Sequence, residues 1–350
     1  MAKQKGRGAG SNPPVRFRKT QSEIVDDGWW QEEIQPTPAT SYLPIKSRTI
    51  ISTNRSPDIP FDYSINPYMG CEHGCIYCYA RPSHAYWDLS PGLDFETRIL
   101  TKPDGPALLR EAFNRKHYVC KTIHIGANTD PYQPAEISLK LTSQLLEVFK
   151  SFQHPFTLIT KSALVLRDLD LLQEMAEKNL CTLSVSVTTL NGELKRTLEP
   201  RAASPAARLR VIESLAARGI PVSVFFAPVI PWINDHEMEA VLAAAASAGA
   251  RQARYVFLRL PLEIADLMEE WLEAHYPLKA RHVMNLVCQA RKGKSYDSGF
   301  GSRMTGEGAY ADLLGQRFRV ACKKLGLLTA SEYKLDTTLF TRPGNQMSLF

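Results

Sequence analysis

The sequence predicts an α/β fold of six alternating strand and helix units, their parallel strands curled into an open or closed barrel. Three observations carry that prediction. Short runs of β-branched and aromatic residues recur at 64–68, 118–125, 156–160, 182–187, 221–226 and 255–258. Helical patterns separate most of them, which calls for parallel pairing with right-handed crossovers. Two of the strands are polar on one face and apolar on the other.

The helices follow in order. Segments 138–152 and 167–178 place apolar residues three and four positions apart. Ser204 and Pro205 begin another helix as N-cap and first residue, and Gly219 ends it. Asn234 or Asp235 caps the next, with Gly249 closing it, and a last helix spans 310–325. On the second strand Thr122, His124, Gly126, Asn128 and Asp130 alternate with Ile123, Ile125 and Ala127. On the fourth, Ser184 and Ser186 share the face opposite Leu183, Val185 and Val187. A closed eight-stranded barrel is filled with branched apolar side chains. A polar inner face therefore predicts an opened barrel around a polar ligand, with hydroxyls on an edge strand as the alternative.

Composition narrows the class. The 350 residues are 44% hydrophobic and 22% charged, as in a soluble globular protein. The longest apolar stretch, 240–250, falls short of the ~20 residues of a spanning helix, so no membrane partner is expected. The basic start lacks an apolar signal core, and Cys120, Cys181, Cys288 and Cys322 are scattered singly, which places the protein in the cytoplasm. The net charge of +6 equals the six cations Lys3, Lys5, Arg7, Arg16, Arg18 and Lys19 of residues 1–20, which carry no acid. Rich in Gly, Pro and Ser, this region reads as a disordered basic arm over 1–45, suited to nucleic-acid phosphates or to solubilising the chain. A core over 46–290 and an extension over 291–350 complete the division.

The run Gly70-Cys71-Glu72-His73-Gly74-Cys75-Ile76-Tyr77-Cys78 carries the chemistry. Its C-x₃-C-x₂-C spacing can place Cys71, Cys75 and Cys78 at three corners of a [4Fe–4S] cluster and leave one iron without a protein ligand. Electron-transfer clusters ordinarily have four cysteines, so the missing ligand points to catalysis. The alternative is a Cys₃His zinc site completed by His73. It is weakened by the lack of a second ligand pair and by a β/α pattern that needs no zinc.

With Tyr77 just before the third cysteine, this motif resembles the radical S-adenosylmethionine (SAM) signature. Asn66-Pro67-Tyr68, Cys78-Tyr79-Ala80-Arg81 and the run from Gly126 through Asp130-Pro131-Tyr132 to Pro134 resemble the spore-photoproduct-lyase-like branch, often labelled DNA repair photolyase. The resemblance implies a partial (β/α)₆ TIM-type barrel with the cluster at its mouth. It also implies that SAM chelates the open iron and, with an electron from a flavodoxin or ferredoxin, yields methionine and a 5′-deoxyadenosyl radical. Residue by residue, Cys71, Cys75 and Cys78 match the cluster ligands, and Tyr77 matches the aromatic beside adenine. Gly126, Asn128, Thr129 and Asp130 occupy the segment holding the SAM amino group, with the acceptor among the last three left open. Ser184 and Ser186 match the ribose region. Arg201 suits the SAM carboxylate, or else caps a helix. The branch's lyase returns hydrogen from a cysteine in the segment matching 127–129, and this sequence has none there.

The extension holds two further features. Its Gly-rich basic stretch 291–308, with Phe300, fits a phosphate backbone, a lid or a plain loop. Gln346, Met347, Ser348, Leu349 and Phe350 resemble the peptide that docks repair proteins on the bacterial sliding clamp, with burial against the barrel as the alternative. The expected function is a radical SAM enzyme acting on nucleic acid. The alternatives are modification of a protein or small molecule, or a non-catalytic metal-stabilised module recruited by the clamp.

Overall fold

The strands β1 (Ser41–Pro44), β2 (Ile51–Thr53), β3 (Tyr63–Ile65), β4 (Tyr68–Met69), β5 (Arg98–Thr101), β6 (Ile123–Ile125), β7 (Phe156–Thr160), β8 (Cys181–Ser186), β9 (Val222–Val229) and β10 (Gln252–Phe257) form two sheets in the computed structural model, which describes residues 6–18, 39–329 and 334–343. The main sheet has the order β10-β9-β8-β7-β6-β3-β2. All its pairings are parallel except β2 with β3. The first and sixth parallel strands, β3 and β10, do not pair, so the (β/α)₆ barrel is open, as expected. A small sheet β1-β5-β4 stands beside it.

Register sorts the strand residues into two faces. Ile65, Ile123, Ile125, Phe156, Leu158, Leu183, Val224 and Phe257 lie buried in the apolar core. On the other face His124 pairs with Thr157 and Thr157 with Thr182. Ser184 pairs with Ser223 and Ser223 with Gln252, while Ser186 pairs with Phe225 and Phe225 with Arg254. The polar inner face foreseen at His124, Ser184 and Ser186 is therefore present on five adjacent strands.

Local chemistry sets most boundaries where expected. The Ser204 hydroxyl accepts the Ala207 N–H at 3.2 Å, capping the helix Pro205–Ala217. The expected 138–152 helix is broken into Glu136–Leu139 and Leu141–Ser151, where Lys140 turns left-handed at φ +51°. The expected cap at Asn234 is corrected. Its side-chain oxygen accepts Ile230 N–H at 2.6 Å and its amide donates to Thr188 and Pro228 carbonyls at 2.8 and 2.9 Å. The second strand is shorter than 118–125 because its neighbours pair only with residues 123–125.

A disordered arm is not what the structure shows for residues 6–18. Gly8 and Ala9 N–H groups donate to the two Glu96 carboxylate oxygens at 2.9 and 2.8 Å. A Cβ on Gly8 would fall 1.7 Å from the Gly74 carbonyl oxygen, so the strap lies directly on the cysteine loop. Arg16 pairs with Glu263 at 2.6 Å and Arg18 with Asp88 at 2.8 Å, which commits these cations to the fold. The compositional rule failed because it weighed core-forming residues and not the buried carboxylate that receives the strap's backbone. Residues 1–5 and the clamp-like peptide Gln346–Phe350 lie outside the described residues.

The 291–308 stretch bridges the open side of the barrel. Met304 accepts the Phe257 N–H of β10 at 2.8 Å. Arg303 pairs with Asp58, between β2 and β3, at 2.5 Å. The two edges of the main sheet are thus tied through one segment. No helix among the described residues is long and apolar enough to cross a membrane.

Candidate active site

The cysteine loop is shaped by its own backbone and held from both sides. Gly74 N–H donates to Cys71 O at 3.3 Å and Cys78 N–H to Cys75 O at 3.2 Å, curling the loop. Cys71 N–H reaches Phe95 O at 2.9 Å and Ile76 N–H reaches Leu198 O at 3.2 Å. On one side Arg81, fully buried, donates to Cys75 O at 2.9 Å and pairs with the buried Glu96 at 2.5 Å. On the other, the Tyr77 hydroxyl donates to Glu199, which also pairs with the buried Arg208. Burial would raise the Glu199 carboxyl, but Arg208 and Lys161 hold it down at about 2. Two guanidinium–carboxylate pairs therefore brace the loop.

Its three sulfurs are close enough for Cys71 to be affected by both Cys75 and Cys78. Burial pushes the Cys71 thiol well above its ordinary value and Cys75 up to about 12. Such thiols stay protonated until a cation compensates the thiolate charge, which is what iron supplies. Among the described residues no three of His, Cys, Asp and Glu converge on a single ion. Thiolates bound to three different corners of a cube do not need to converge. His73 has its Nδ1 3.4 Å from Asp130 Oδ2, so a carboxylate faces that ring nitrogen. The loop fits the cubane.

The other foreseen residues separate into two groups. Gly126 leaves β6 at φ +95°, where a Cβ would meet Ile159 O at 2.8 Å and Pro131 Cδ at 2.9 Å, so only glycine fits. Asn66 Oδ1 accepts the Asn128 N–H at 2.8 Å and the Thr129 N–H at 3.4 Å. The Thr129 hydroxyl donates to Tyr68 O at 2.9 Å. Asp130 accepts from Tyr132 N–H, Thr160 Oγ1 and Lys161 N–H at 2.9, 2.7 and 2.7 Å. Burial would raise its carboxyl, but His73, Thr160 and the Lys161 amide hold it at about 2. Asp130 thus fastens the segment to β7. Ser184 and Ser186 face the lumen, and their hydroxyls have no hydrogen-bond partner among the described residues.

Arg201 already has a partner in the protein. Its guanidinium pairs with the buried Glu72 at 3.2 Å and reaches Thr40, on the side that carries Arg7. Glu72 is the physical reason, because a buried carboxylate claims the nearest cation. Sequence reasoning passed over Lys161, which follows β7 directly and has its ammonium 5.9 Å from the Tyr77 ring. Burial lowers its pKa, but Cys75 and Glu199 more than offset this and raise it. The available signal was a lysine at the end of an apolar strand. Tyr79 was also missed as a site residue. Its hydroxyl donates to Ala127 O, and the Arg259 guanidinium lies 5.1 Å above its ring.

The family model for the radical SAM superfamily matches residues 65–245. The chain belongs to that superfamily. As a radical SAM protein it uses a [4Fe–4S] cluster and S-adenosylmethionine, and the zinc alternative falls. An uncharacterized protein of Mycobacterium tuberculosis (strain ATCC 25618 / H37Rv) is 35% identical over 227 residues, 64% of this chain and 67% of the relative. An uncharacterized protein of Methanocaldococcus jannaschii is 28% identical over 243 residues, 69% of this chain and 86% of the relative. Among solved structures, a spore photoproduct lyase variant with bound AdoMet and dinucleoside spore photoproduct has a TM-score of 0.58 at 17% identity, covering 82% of this chain and 81% of that one. At that identity the likeness concerns the fold.

Proposed function

We propose that Cys71, Cys75 and Cys78 hold three irons of the cluster and that the enzyme abstracts hydrogen from a nucleic-acid substrate in the lumen. The observation that carries this reading is the position of the three-thiol loop, with Tyr79 on Ala127 O beyond β6 and Tyr77 beside Thr188 beyond β8, at the end of an open barrel whose polar inner face carries hydroxyls without a partner among the described residues. The cluster and SAM supply one-electron cleavage of a carbon–sulfur bond and attack on an unactivated C–H bond.

The chain supplies the rest. Lys161, and not Arg201, offers the cation at the mouth for the SAM carboxylate. Ser184 and Ser186 offer hydroxyls to the ribose. Asn66 and Asp130 hold segment 126–130 so that its backbone lines the cofactor. Tyr77 keeps its place in the loop, with its hydroxyl committed to Glu199. A flavodoxin or ferredoxin is the reductant, and docking of Gln346–Phe350 on a sliding clamp rests on the sequence alone.

The test is 5′-deoxyadenosine release by dithionite-reduced protein with SAM, in the presence of DNA, RNA, peptide pools or buffer. Nucleic acid should raise the yield, and Cys75→Ala should abolish it. Stimulation by peptide or metabolite pools but not by DNA or RNA would overturn the nucleic-acid assignment.

A further inference from the structure

Arg254 stands in the middle of β10, in the row Ser186–Phe225–Arg254 on the lumen face. Its side chain is partly buried, which lowers its pKa, and none of its guanidinium nitrogens is fully enclosed. No carboxylate pairs with it and no hydrogen bond engages it among the described residues. The other withdrawn guanidiniums nearby are differently placed. Arg81 and Arg208 each have a buried carboxylate. Arg291 donates to the carbonyls of Ser302 and Leu258 at 2.9 and 3.0 Å. A partly desolvated guanidinium without such partners is open to an anion that answers its charge.

Its surroundings point the same way. Arg254 acts on His124, whose imidazole is driven down to about 4 first by burial and then by the arginine. The ring is thus a neutral lumen group, with Nδ1 2.8 Å from Thr157 Oγ1 and one face stacked on Phe61 at 4.4 Å. Thr182 and Ser184, on the same inner face, have hydroxyls with no protein partner among the described residues. One cation, a neutral imidazole and free hydroxyls suit a singly charged oxyanion better than a dianion. Two residues beyond β10, Arg259 has no carboxylate partner among the described residues; it donates to the Tyr296 hydroxyl at 3.1 Å and keeps its Nε buried and unpaired.

We infer that Arg254 anchors the substrate inside the barrel by gripping one phosphodiester of a nucleic acid, with the Thr182 and Ser184 hydroxyls as further donors. This rests on the nucleic-acid reading above and adds to it the residue and the chemical group by which the polymer is held. A phosphodiester carries one charge on two equivalent oxygens, which a guanidinium fork meets with two parallel hydrogen bonds. A chain held there would present the sugar and base beside that phosphate to the mouth, where the cysteine loop lies.

The experiment is equilibrium binding to anaerobic, cluster-loaded, unreduced protein with SAM. The probes are a dinucleoside monophosphate, its uncharged methylphosphonate analogue and inorganic phosphate. Wild type should prefer the phosphodiester over the analogue by about 10- to 100-fold, the range for one charge-assisted pair. Arg254→Gln should bind both at the analogue's level, and Arg254→Lys should fall between. Iron content and the cluster's spectroscopic response to SAM should match wild type in both variants, which separates an anchoring role from a folding defect. Equal binding of the two dinucleotides by wild type, or a preference that survives Arg254→Gln, would overturn the assignment of Arg254. Binding of inorganic phosphate that depends on Arg254, without binding of either dinucleotide, would instead overturn the nucleic-acid reading and leave an oxyanion site.

Discussion

Replacing Glu96 by leucine tests how the cysteine loop is kept in shape. Glu96 and Arg81 are both fully buried and meet at 2.5 Å. Arg81 also donates to the carbonyls of Cys75, Pro91 and Gly92 at 2.9, 3.0 and 2.9 Å. Glu96 accepts the strap amides of Gly8 and Ala9. Leucine is close in volume but leaves a buried guanidinium without its countercharge and two amides without acceptors. Loss of one member of a buried pair costs about 3–5 kcal/mol and an orphaned amide about 1–3, and since such terms overlap we take about 5 kcal/mol in all. With an unfolding entropy of ~0.7 kcal/mol/K for a chain of this length, the melting midpoint should drop by about 7 °C. The assay is a thermal melt by circular dichroism, paired with iron per chain after anaerobic reconstitution. Iron loading should fall too, because Arg81 fixes the Cys75 carbonyl. Arg81→Met combined with Glu96→Leu removes both charges but leaves the Cys75, Pro91 and Gly92 carbonyls without their donor, so the double variant should load iron no better than Glu96→Leu. A Glu96→Leu protein that melts within about 1 °C of wild type with full iron would refute the reasoning.

Three further outcomes follow from the same geometry. Gly126→Ala should cost about 1–3 kcal/mol of stability, read by urea unfolding, and weaken SAM binding, because its Cβ would strike Ile159 O and Pro131 Cδ at a left-handed φ. Lys161→Met should weaken SAM binding roughly tenfold by equilibrium titration while Arg201→Ala leaves it unchanged, one charge-assisted contact being worth that much. Acid should destabilise the protein from about pH 6.5 downward, since burial lowers His84 and His124 to about 4 and His154 to about 3. The unfolded chain then takes up protons first, and each histidine removes about 1.4 kcal/mol per pH unit until its folded value is passed. His154→Phe, which keeps the stack on Phe113, should shallow that slope in urea melts at pH 7 and pH 5.

The sequence was most informative where periodicity and backbone chemistry act alone. The polar inner face at His124, Ser184 and Ser186 followed from strict alternation, and Ser204 announced its helix because a hydroxyl cap acts over three residues. The cysteine spacing was legible because three corners of one cube must be reached from a single loop. What escaped notice depended on partners distant in sequence. Arg201 matched the expected pattern, yet Glu72, 129 positions earlier, claims it. The glycines near the start looked like a flexible tail, yet Glu96 receives their amides and Gly8 packs where no side chain would fit. Lys161 was marked only by its place at the end of an apolar strand, and Arg254 carried no local mark, because what distinguishes it is the carboxylate it does not meet after folding.

The most direct measurement is electron paramagnetic resonance of the dithionite-reduced protein before and after SAM, with nitrogen-15 in the SAM amino group. The account predicts about four irons and four sulfides per chain, a signal that shifts on adding SAM, and hyperfine coupling to that nitrogen. A reduced-cluster signal that SAM leaves unchanged, or coupling to an imidazole or a fourth cysteine of this chain, would contradict it.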